Sequence, residues 1–389
     1  MMDRFVYADN AATTSVSPLV LEAMMPFFNE MYGNPSSLYS IGREASEAIT
    51  NAREKIANLL GCKAREIYFT ASGSEADNWA IKGAAHANVK KGRHIITTNF
   101  EHHAVTHTMN TLEKEGFEVT YLKVNNEGLL SAADVETAIR NDTILICAMY
   151  ANNEIGTILP IKEIAAAAKK HGVICFTDAV QAVGSIRIKV ADLGVDMLAF
   201  SGHKIHAPKG IGALYIKSGT RVQNLIDGGG QESGRRGGTE NTAYIAGLAK
   251  ALELATERLP DMERIKKLRN RLIAGINKIP YAAINGSLDK RLPGNVNVTF
   301  DYIEGESLLL WLDMNGICAS TGSACSSSSL EPSHVILALG VDSERAHGSI
   351  RFTLGHGNTE EDIDYILEKL GPIVEKLRAM SPLYEKVGG

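Results

Sequence analysis

Lys204 ends the segment Phe200-Ser201-Gly202-His203-Lys204, directly after the apolar run Met197-Leu198-Ala199. Upstream, Asp178 closes Val173-Ile174-Cys175-Phe176-Thr177-Asp178 and is followed by Ala179-Val180-Gln181. Each stands where an apolar strand gives way to a loop. Either residue alone reads as an exposed lysine or as an aspartate capping a helix. Together they offer a different chemistry. A lysine amine in a partly desolvated strand-end setting has its pKa lowered from roughly 10.4 and can act as a nucleophile. A carboxylate nearby can keep a proton on an aromatic ring nitrogen. Pyridoxal phosphate requires both, an amine for its Schiff base and a carboxylate that makes its ring an electron sink.

Other polar residues collect at strand ends. Thr70-Ala71-Ser72-Gly73-Ser74-Glu75 joins a strand to a helix. Gly73 permits a tight backbone, and the free N–H groups at a helix start suit a phosphate, with the Ser74 hydroxyl as a further donor. The alternative is an ordinary turn with Ser74 as N-cap. The motif is not a P-loop, because no Gly-Lys-Ser/Thr follows. The glycine-rich stretch Gly228–Thr239 also lacks that lysine, although its Arg236 and Thr239 could cap a phosphate. In Phe100-Glu101-His102-His103 the adjacent histidines have no metal-ligand spacing, so no metal site is expected. One of them could stack on a cofactor ring and move a proton near neutral pH, or simply cap a helix. Asn152-Asn153 lies at another strand end, and Asn153 could donate to a ring hydroxyl or a carboxylate, with a turn as the default. Gln181, three residues after Asp178, could reach the same ring oxygen.

Arg351 sits in the strand-like Ser349-Ile350-Arg351-Phe352-Thr353. An arginine there needs a partner, and a carboxylate is the natural one, from the protein or from a substrate. Cys325 lies in Ser320-Thr321-Gly322-Ser323-Ala324-Cys325-Ser326-Ser327, where nothing is apolar. It reads as an exposed thiol on a mobile loop, whereas Cys62, Cys147, Cys175 and Cys318 read as buried structural cysteines.

The elements that must position these residues follow from periodicity. Strands are expected at Glu66–Thr70, His94–Thr98, Val119–Leu122, Thr143–Met149, Val173–Thr177, Met197–Ser201 and Gly212–Ile216. Helices are expected between them at Glu75–Lys90, His103–Glu115, Ala132–Arg140 and Lys162–His171, and before them at Pro18–Met31 and Arg43–Leu60. This alternation predicts an α/β fold with a mostly parallel seven-stranded sheet covered on both faces, binding its ligand at the strands' carboxyl ends. Downstream come a helix-rich stretch from Thr242 to Lys278, strand signals at Asn295–Phe300 and Ser349–Thr353, and helices at Glu306–Met314 and Glu360–Ala379. They predict a smaller α+β domain. With 389 residues, two domains are expected: residues 15–256 as the large cofactor-binding domain, and residues 1–14 with 257–389 as the small domain carrying the Cys325 loop. A net charge of −5 disfavours nucleic acid as the main ligand. No apolar run approaches the roughly 20 residues of a membrane span, and the amino terminus lacks a secretion segment. An odd cysteine count of five without a CxxC pair argues for a reducing cytoplasm.

In order along the chain, these pieces resemble a cysteine desulfurase of the NifS/IscS group, within the class V aminotransferase family. The motifs that carry the resemblance are Asp9-Asn10-Ala11-Ala12-Thr13, Gly33-Asn34-Pro35-Ser36-Ser37, Asn152-Asn153-Glu154-Ile155-Gly156, Ser201-Gly202-His203-Lys204 and Thr321-Gly322-Ser323-Ala324-Cys325. The last is similar to the desulfurases whose nucleophilic cysteine rides a long flexible loop. The resemblance implies a fold-type I PLP-dependent transferase, a homodimer, and pyridoxal 5'-phosphate as cofactor. It implies Lys204 as the Schiff-base lysine, Asp178 on the pyridine nitrogen, and Gln181 and Asn153 near the ring oxygen. Gly73, Ser74, Ser201 and His203 would hold the phosphate, with Thr239 reaching over from the partner subunit. His102 would stack on the ring, Cys325 would carry a persulfide, and Arg351 and Asn34 would grip the carboxylate of L-cysteine. The implied products are L-alanine and sulfur passed to an acceptor, an iron–sulfur scaffold or another protein. An aminotransferase or selenocysteine lyase of the same fold is the alternative. Tyr39 departs from the pattern, standing where many members have a histidine. The chain also ends five residues after Tyr384, whereas members similar to IscS carry a longer tail that helps dock the scaffold.

Overall fold

The computed structural model describes residues 4–321 and 331–385. Seven strands build the main sheet: β2 Ile67–Thr70, β3 His94–Thr98, β4 Glu118–Leu122, β5 Thr143–Cys147, β6 Ile174–Asp178, β7 Met197–Ser201 and β8 Gly212–Ile216, after a short β1 at Val6–Tyr7. Their order is β2-β8-β7-β6-β5-β3-β4. Only β8 runs against its neighbours, β2 and β7; the remaining pairs are parallel. The carboxyl ends of β2, β3, β5, β6 and β7 therefore open on one edge.

Alternation along the strands sends side chains to two cores. Ile95, Leu145, Phe176, Met197, Ala199 and Leu214 face the helix Gly73–Asn88 with its Trp79 and Ile81. Their sequence neighbours Ile96, Ile146, Cys175, Leu198, Phe200 and Ala213 pack with Ile49, Ile56 and Leu248 on the other face. Phe176 and Phe200 are 1% and 0% exposed; burial of each is worth roughly 2–3 kcal/mol. They lie just ahead of Asp178 and the 202–204 turn, so core packing fixes where both strand ends point. Helix Pro18–Met31 is not continuous. It divides into Pro18–Met24 and Pro26–Asn29, because Pro26 lacks an N–H and starts a new turn instead of extending the old one.

A third core joins Val6 and Ala8 to Ile265, Val296, Phe300, Ile350, Phe352 and Leu370. Its antiparallel sheet has the order β12-β10-β9, formed by β9 Ala282–Ile284, β10 Asn295–Phe300 and β12 Ser349–Thr353. β1 pairs in parallel with β11, Ile317–Cys318. The sequence patterns did not single out β1, β9 or β11; strands of two or three residues are too short to show a period. Cys147 and Cys175 are buried, but Cys62 and Cys318 are only half-buried. Cys62 follows the left-handed Gly61 that ends helix Ser40–Leu60, and so sits at the rim of the core instead of inside it.

Candidate active site

A cavity of about 280 Å³ opens at the carboxyl edge of the main sheet. Lys204, Asp178, Gln181, Asn153, Gly73, Ser74, His102, Ser201, His203 and Arg351 all line it. The segments that supply them follow β2, β3, β5, β6 and β7, and Arg351 comes from β12.

Asp178 ends β6 and is 5% exposed. Burial pushes its carboxyl up to about 6, opposed by the Val180 N–H and the charge of Lys204. It accepts from Val180 N at 2.8 Å and is largely ionised at neutral pH. Lys204 closes the turn after β7. Its Nζ donates to the carbonyls of Ala11 at 2.5 Å and Ala12 at 2.7 Å.

His102 is the N-cap of helix His103–Lys114, and its Nδ1 accepts from Ala104 N at 3.1 Å. The capping and cavity-lining roles thus fall on one residue. Burial, then the charges of Lys204 and His103, push its pKa down to about 4, so at neutral pH the ring is neutral with its proton on Nε2. His203 is pushed down to about 4, first by burial and then by Lys204; its Nδ1 lies 3.1 Å from Thr13 Oγ1.

At the start of helix Gly73–Asn88 the cap is Ser72, whose hydroxyl accepts from Glu75 N at 3.1 Å. Ser74 is therefore not the N-cap, and its hydroxyl remains with the cavity. A Cβ on Gly73 would come within 2.9 Å of Val180 Cγ2 and 3.3 Å of Ser201 Cβ. Only a glycine lets the helix start approach the end of β7 this closely. The N–H groups of Gly73 and Ser74 fall in the first turn, where the helix offers no acceptor. This is the combination a phosphate monoester needs.

Arg351 is 2% exposed. Its Nη2 donates to Asp9 Oδ1 at 2.8 Å and its Nη1 to the Asn153 carbonyl at 2.9 Å. Of the two partners open from sequence, the protein carboxylate is present. Nε is buried without a hydrogen-bond partner among the described residues, while Nη1 and Nη2 each keep a second N–H for a ligand carboxylate. Asn152 does not join the site: it is buried, donating to the Phe100 carbonyl at 2.9 Å and accepting from Glu154 N at 2.8 Å.

Asn34 and Thr239 are not brought to this cavity. Both are exposed and line a separate recess with Phe28 and Tyr32. Asn34 sits in the turn between two surface helices, its Oδ1 accepting from Ser36 N at 3.0 Å. The expectation that it stands beside Arg351 therefore fails within one chain. Arg236 is committed to Glu75, at 2.9 and 3.2 Å, instead of to a phosphate. Cys325 lies outside the described residues.

The cavity also holds Asp77, His103, Glu154 and His334, which the sequence reading did not assign. Asp77 is 1% exposed, and its Oδ1 has no partner among the described residues. Burial, then Asp178 and Glu101, raise its pKa. The available signal was an aspartate on the apolar face of its helix, between Ala76 and Trp79. Glu101, next to His102 in the chain, is pushed up to about 8 by burial, against hydrogen bonds from Thr98 and Met149.

Buried carboxylate, strand-end amine, neutral imidazole, helix start and near-buried guanidinium together fit pyridoxal phosphate and an amino-acid carboxylate. Asp178 would face the ring nitrogen, Lys204 the aldehyde carbon, and Gly73, Ser74, Ser201 and His203 the phosphate.

Comparison with known proteins points the same way. The family profile described as Aminotransferase class-V matches residues 6–366. A protein of Clostridium botulinum named cysteine desulfurase IscS is 57% identical over 388 residues, covering 99% of this chain and 98% of that one. Its namesake in Methanosarcina thermophila is 56% identical, covering 99% and 95%. Among solved structures, a NifS-like protein aligns with a TM-score of 0.91 at 40% identity, over 96% of this chain and all of that one. SspA in complex with cysteine aligns with a TM-score of 0.79 at 39% identity, over 90% and 98%.

Proposed function

The chain belongs to the class V aminotransferase family, and from that premise we propose that it is a pyridoxal phosphate-dependent cysteine desulfurase. The observation that carries the reading is one cavity in which buried Asp178, Lys204 and the partly satisfied guanidinium of Arg351 meet. When bound, pyridoxal phosphate supplies an aldehyde for an amine and a ring that withdraws electrons. The remaining tasks fall to this chain's own side chains.

Arg351 offers the remaining N–H groups of its terminal nitrogens to the carboxylate of L-cysteine and so orients its α-carbon. Asp178, ionised above about pH 6, would hold a proton on the ring nitrogen. Lys204 takes the α-proton on Nζ, where the Ala11 and Ala12 carbonyls stabilise the ammonium form, and returns it to the substrate. His102, neutral at working pH, would present an uncharged ring to the cofactor. Cys325 completes the reaction as a thiolate that attacks the substrate sulfur. An S–S bond forms, the C–S bond breaks, and its electron pair stays with carbon, which is protonated and leaves as alanine. The persulfide on Cys325 passes to an acceptor protein, such as an iron–sulfur scaffold.

The enzyme works as a homodimer in this reading. Exposed Phe28 and Tyr32 line the recess of Asn34 and Thr239, and Met25, Leu38 and Tyr39, close by in sequence, are exposed as well. A second copy covering that patch would bring these two residues to its own site. A cytoplasmic setting agrees with the free thiols.

The test is Cys325→Ala, assayed on L-cysteine for alanine and sulfide under reducing conditions. The variant should keep the cofactor, still change its visible spectrum with cysteine, and release neither product. Undiminished alanine would overturn the mechanism and favour an aminotransferase, which has no need of that thiol.

A further inference from the structure

Asp9-Asn10-Ala11-Ala12 is among the most distinctive stretches of the sequence, and the reaction above gives it no task beyond the Ala11 and Ala12 carbonyls. In the structure it connects two distant parts of the site. Arg351 and Thr353 stand two apart on β12 and share a face of it. Asp9 Oδ1 accepts from Arg351 Nη2 at 2.8 Å. The Asn10 side-chain amide donates to the Thr353 carbonyl at 2.8 Å. The Ala11 N–H donates to Thr353 Oγ1, also at 2.8 Å, and Thr353 N–H donates back to the Ala8 carbonyl at 2.6 Å. The segment is thus clamped along β12.

Its carbonyls face the other way. Ala11 O accepts from Lys204 Nζ at 2.5 Å and from Gln181 Nε2 at 3.0 Å, and Ala12 O accepts from Lys204 Nζ at 2.7 Å. A second cavity backs on to the same wall, and Ala11, Val180, Gln181 and Lys204 line both. The backbone from Asp9 to Ala12 is therefore a thin strut. Three residue steps span at most about 11 Å, so the backbone limits how far apart the contacts to the guanidinium and to the amine can lie.

The charge balance supports the same role. The Arg351 and Asp9 side chains are 3% and 16% exposed. A guanidinium that buried needs a counter-charge and a set direction. With one N–H of Nη1 on Asn153 and one of Nη2 on Asp9, the plane of the guanidinium is fixed and each terminal nitrogen keeps a second N–H for a ligand.

We infer that Asp9–Ala12 is a positioning segment that sets the spacing between the Arg351 guanidinium and the Lys204 amine, and thereby selects ligands whose carboxylate adjoins the carbon that loses its proton, namely α-amino acids. Asp9 is its positioning residue at the carboxylate end. The inference rests on the proposed cofactor chemistry.

The test uses cofactor-loaded wild type, Asp9→Ala and Asp9→Asn. Apparent affinities for L-cysteine and for cysteamine, which lacks the carboxylate, are read from the visible spectrum in rapid mixing. Exchange of the α-hydrogen of L-alanine in deuterium oxide is followed by NMR. Asp9→Ala should bind L-cysteine about tenfold more weakly, bind cysteamine as wild type does, and slow α-hydrogen exchange at saturating alanine about tenfold, an effect of the size expected from losing a charge-assisted hydrogen bond. Asp9→Asn keeps an acceptor oxygen and should lose about threefold in cysteine affinity alone. If Asp9→Ala does not fold, the asparagine variant decides: wild-type discrimination between cysteine and cysteamine overturns the inference. Equal weakening of both ligands in either variant also overturns it, because a merely structural residue would act that way. A wild-type spectrum that responds to neither amine would instead refute the cofactor reading itself.

Discussion

Replacing Glu101 by glutamine should remove an alkaline weakness of the fold. Glu101 is 1% exposed. Its Oε1 accepts from Thr98 Oγ1 at 2.6 Å and Met149 N at 2.9 Å, and its Oε2 has no partner among the described residues. Burial pushes its pKa to about 8, from 4.5 in the absence of the fold. Between those values the folded chain keeps a proton that the unfolded chain has released. Stability is then fully present below about pH 4.5, falls as pH rises, and levels off above about 8, with a slope of about 1.4 kcal/mol per pH unit. From pH 6 to pH 9 the loss assignable to this carboxyl is roughly 2–3 kcal/mol. Glutamine is isosteric, its amide oxygen can accept both hydrogen bonds, and it does not titrate. Glu101→Gln should therefore lie within about 1 kcal/mol of wild type at pH 6 and gain on it by roughly 2–3 kcal/mol at pH 9. The assay is urea unfolding of cofactor-free protein at one fixed protomer concentration, since ligand and assembly both shift apparent stability. Other titrating groups contribute alike to both proteins and cancel in the difference. Parallel stability curves from pH 6 to pH 9 would refute the idea that Glu101 is held neutral.

Lys204→Ala should abolish turnover, and borohydride reduction followed by mass spectrometry should find no cofactor fixed to the variant; in wild type, an adduct on any other lysine would displace Lys204 from its role. Gly73→Ala sets a clash with Val180 and Ser201 costing about 1–3 kcal/mol against a helix-entropy gain of about 0.5–1 kcal/mol. A modest drop in melting temperature with several-fold faster cofactor loss on dialysis is expected, and unchanged retention would show that the helix start does not hold the phosphate.

Much of the frame was legible because its signals are local. His94–Thr98, Met197–Ser201, Gly212–Ile216, Asn295–Phe300, Ser349–Thr353 and Glu360–Ala379 fall where their patterns place them. Each is long enough to show a period of two or 3.6. Parallel crossover topology then sends the carboxyl ends of such strands to one edge, so Lys204, Asp178, His102 and Gly73 could be expected together. By itself the sequence thus determined the sheet, the residues at its carboxyl edge and their kind of chemistry. Tertiary structure alone decided which partners those residues have. Arg351 meets Asp9 across 342 positions, and Lys204 meets Ala11 and Ala12 across 193 and 192. Asn34 and Thr239 share a recess separate from the cavity; Asn34 was expected beside Arg351, Thr239 only across a subunit boundary. No periodicity encodes such pairings. Nor does it encode the neutral state of Glu101, which arises because folding removes water from a carboxyl and leaves too few donors to replace it.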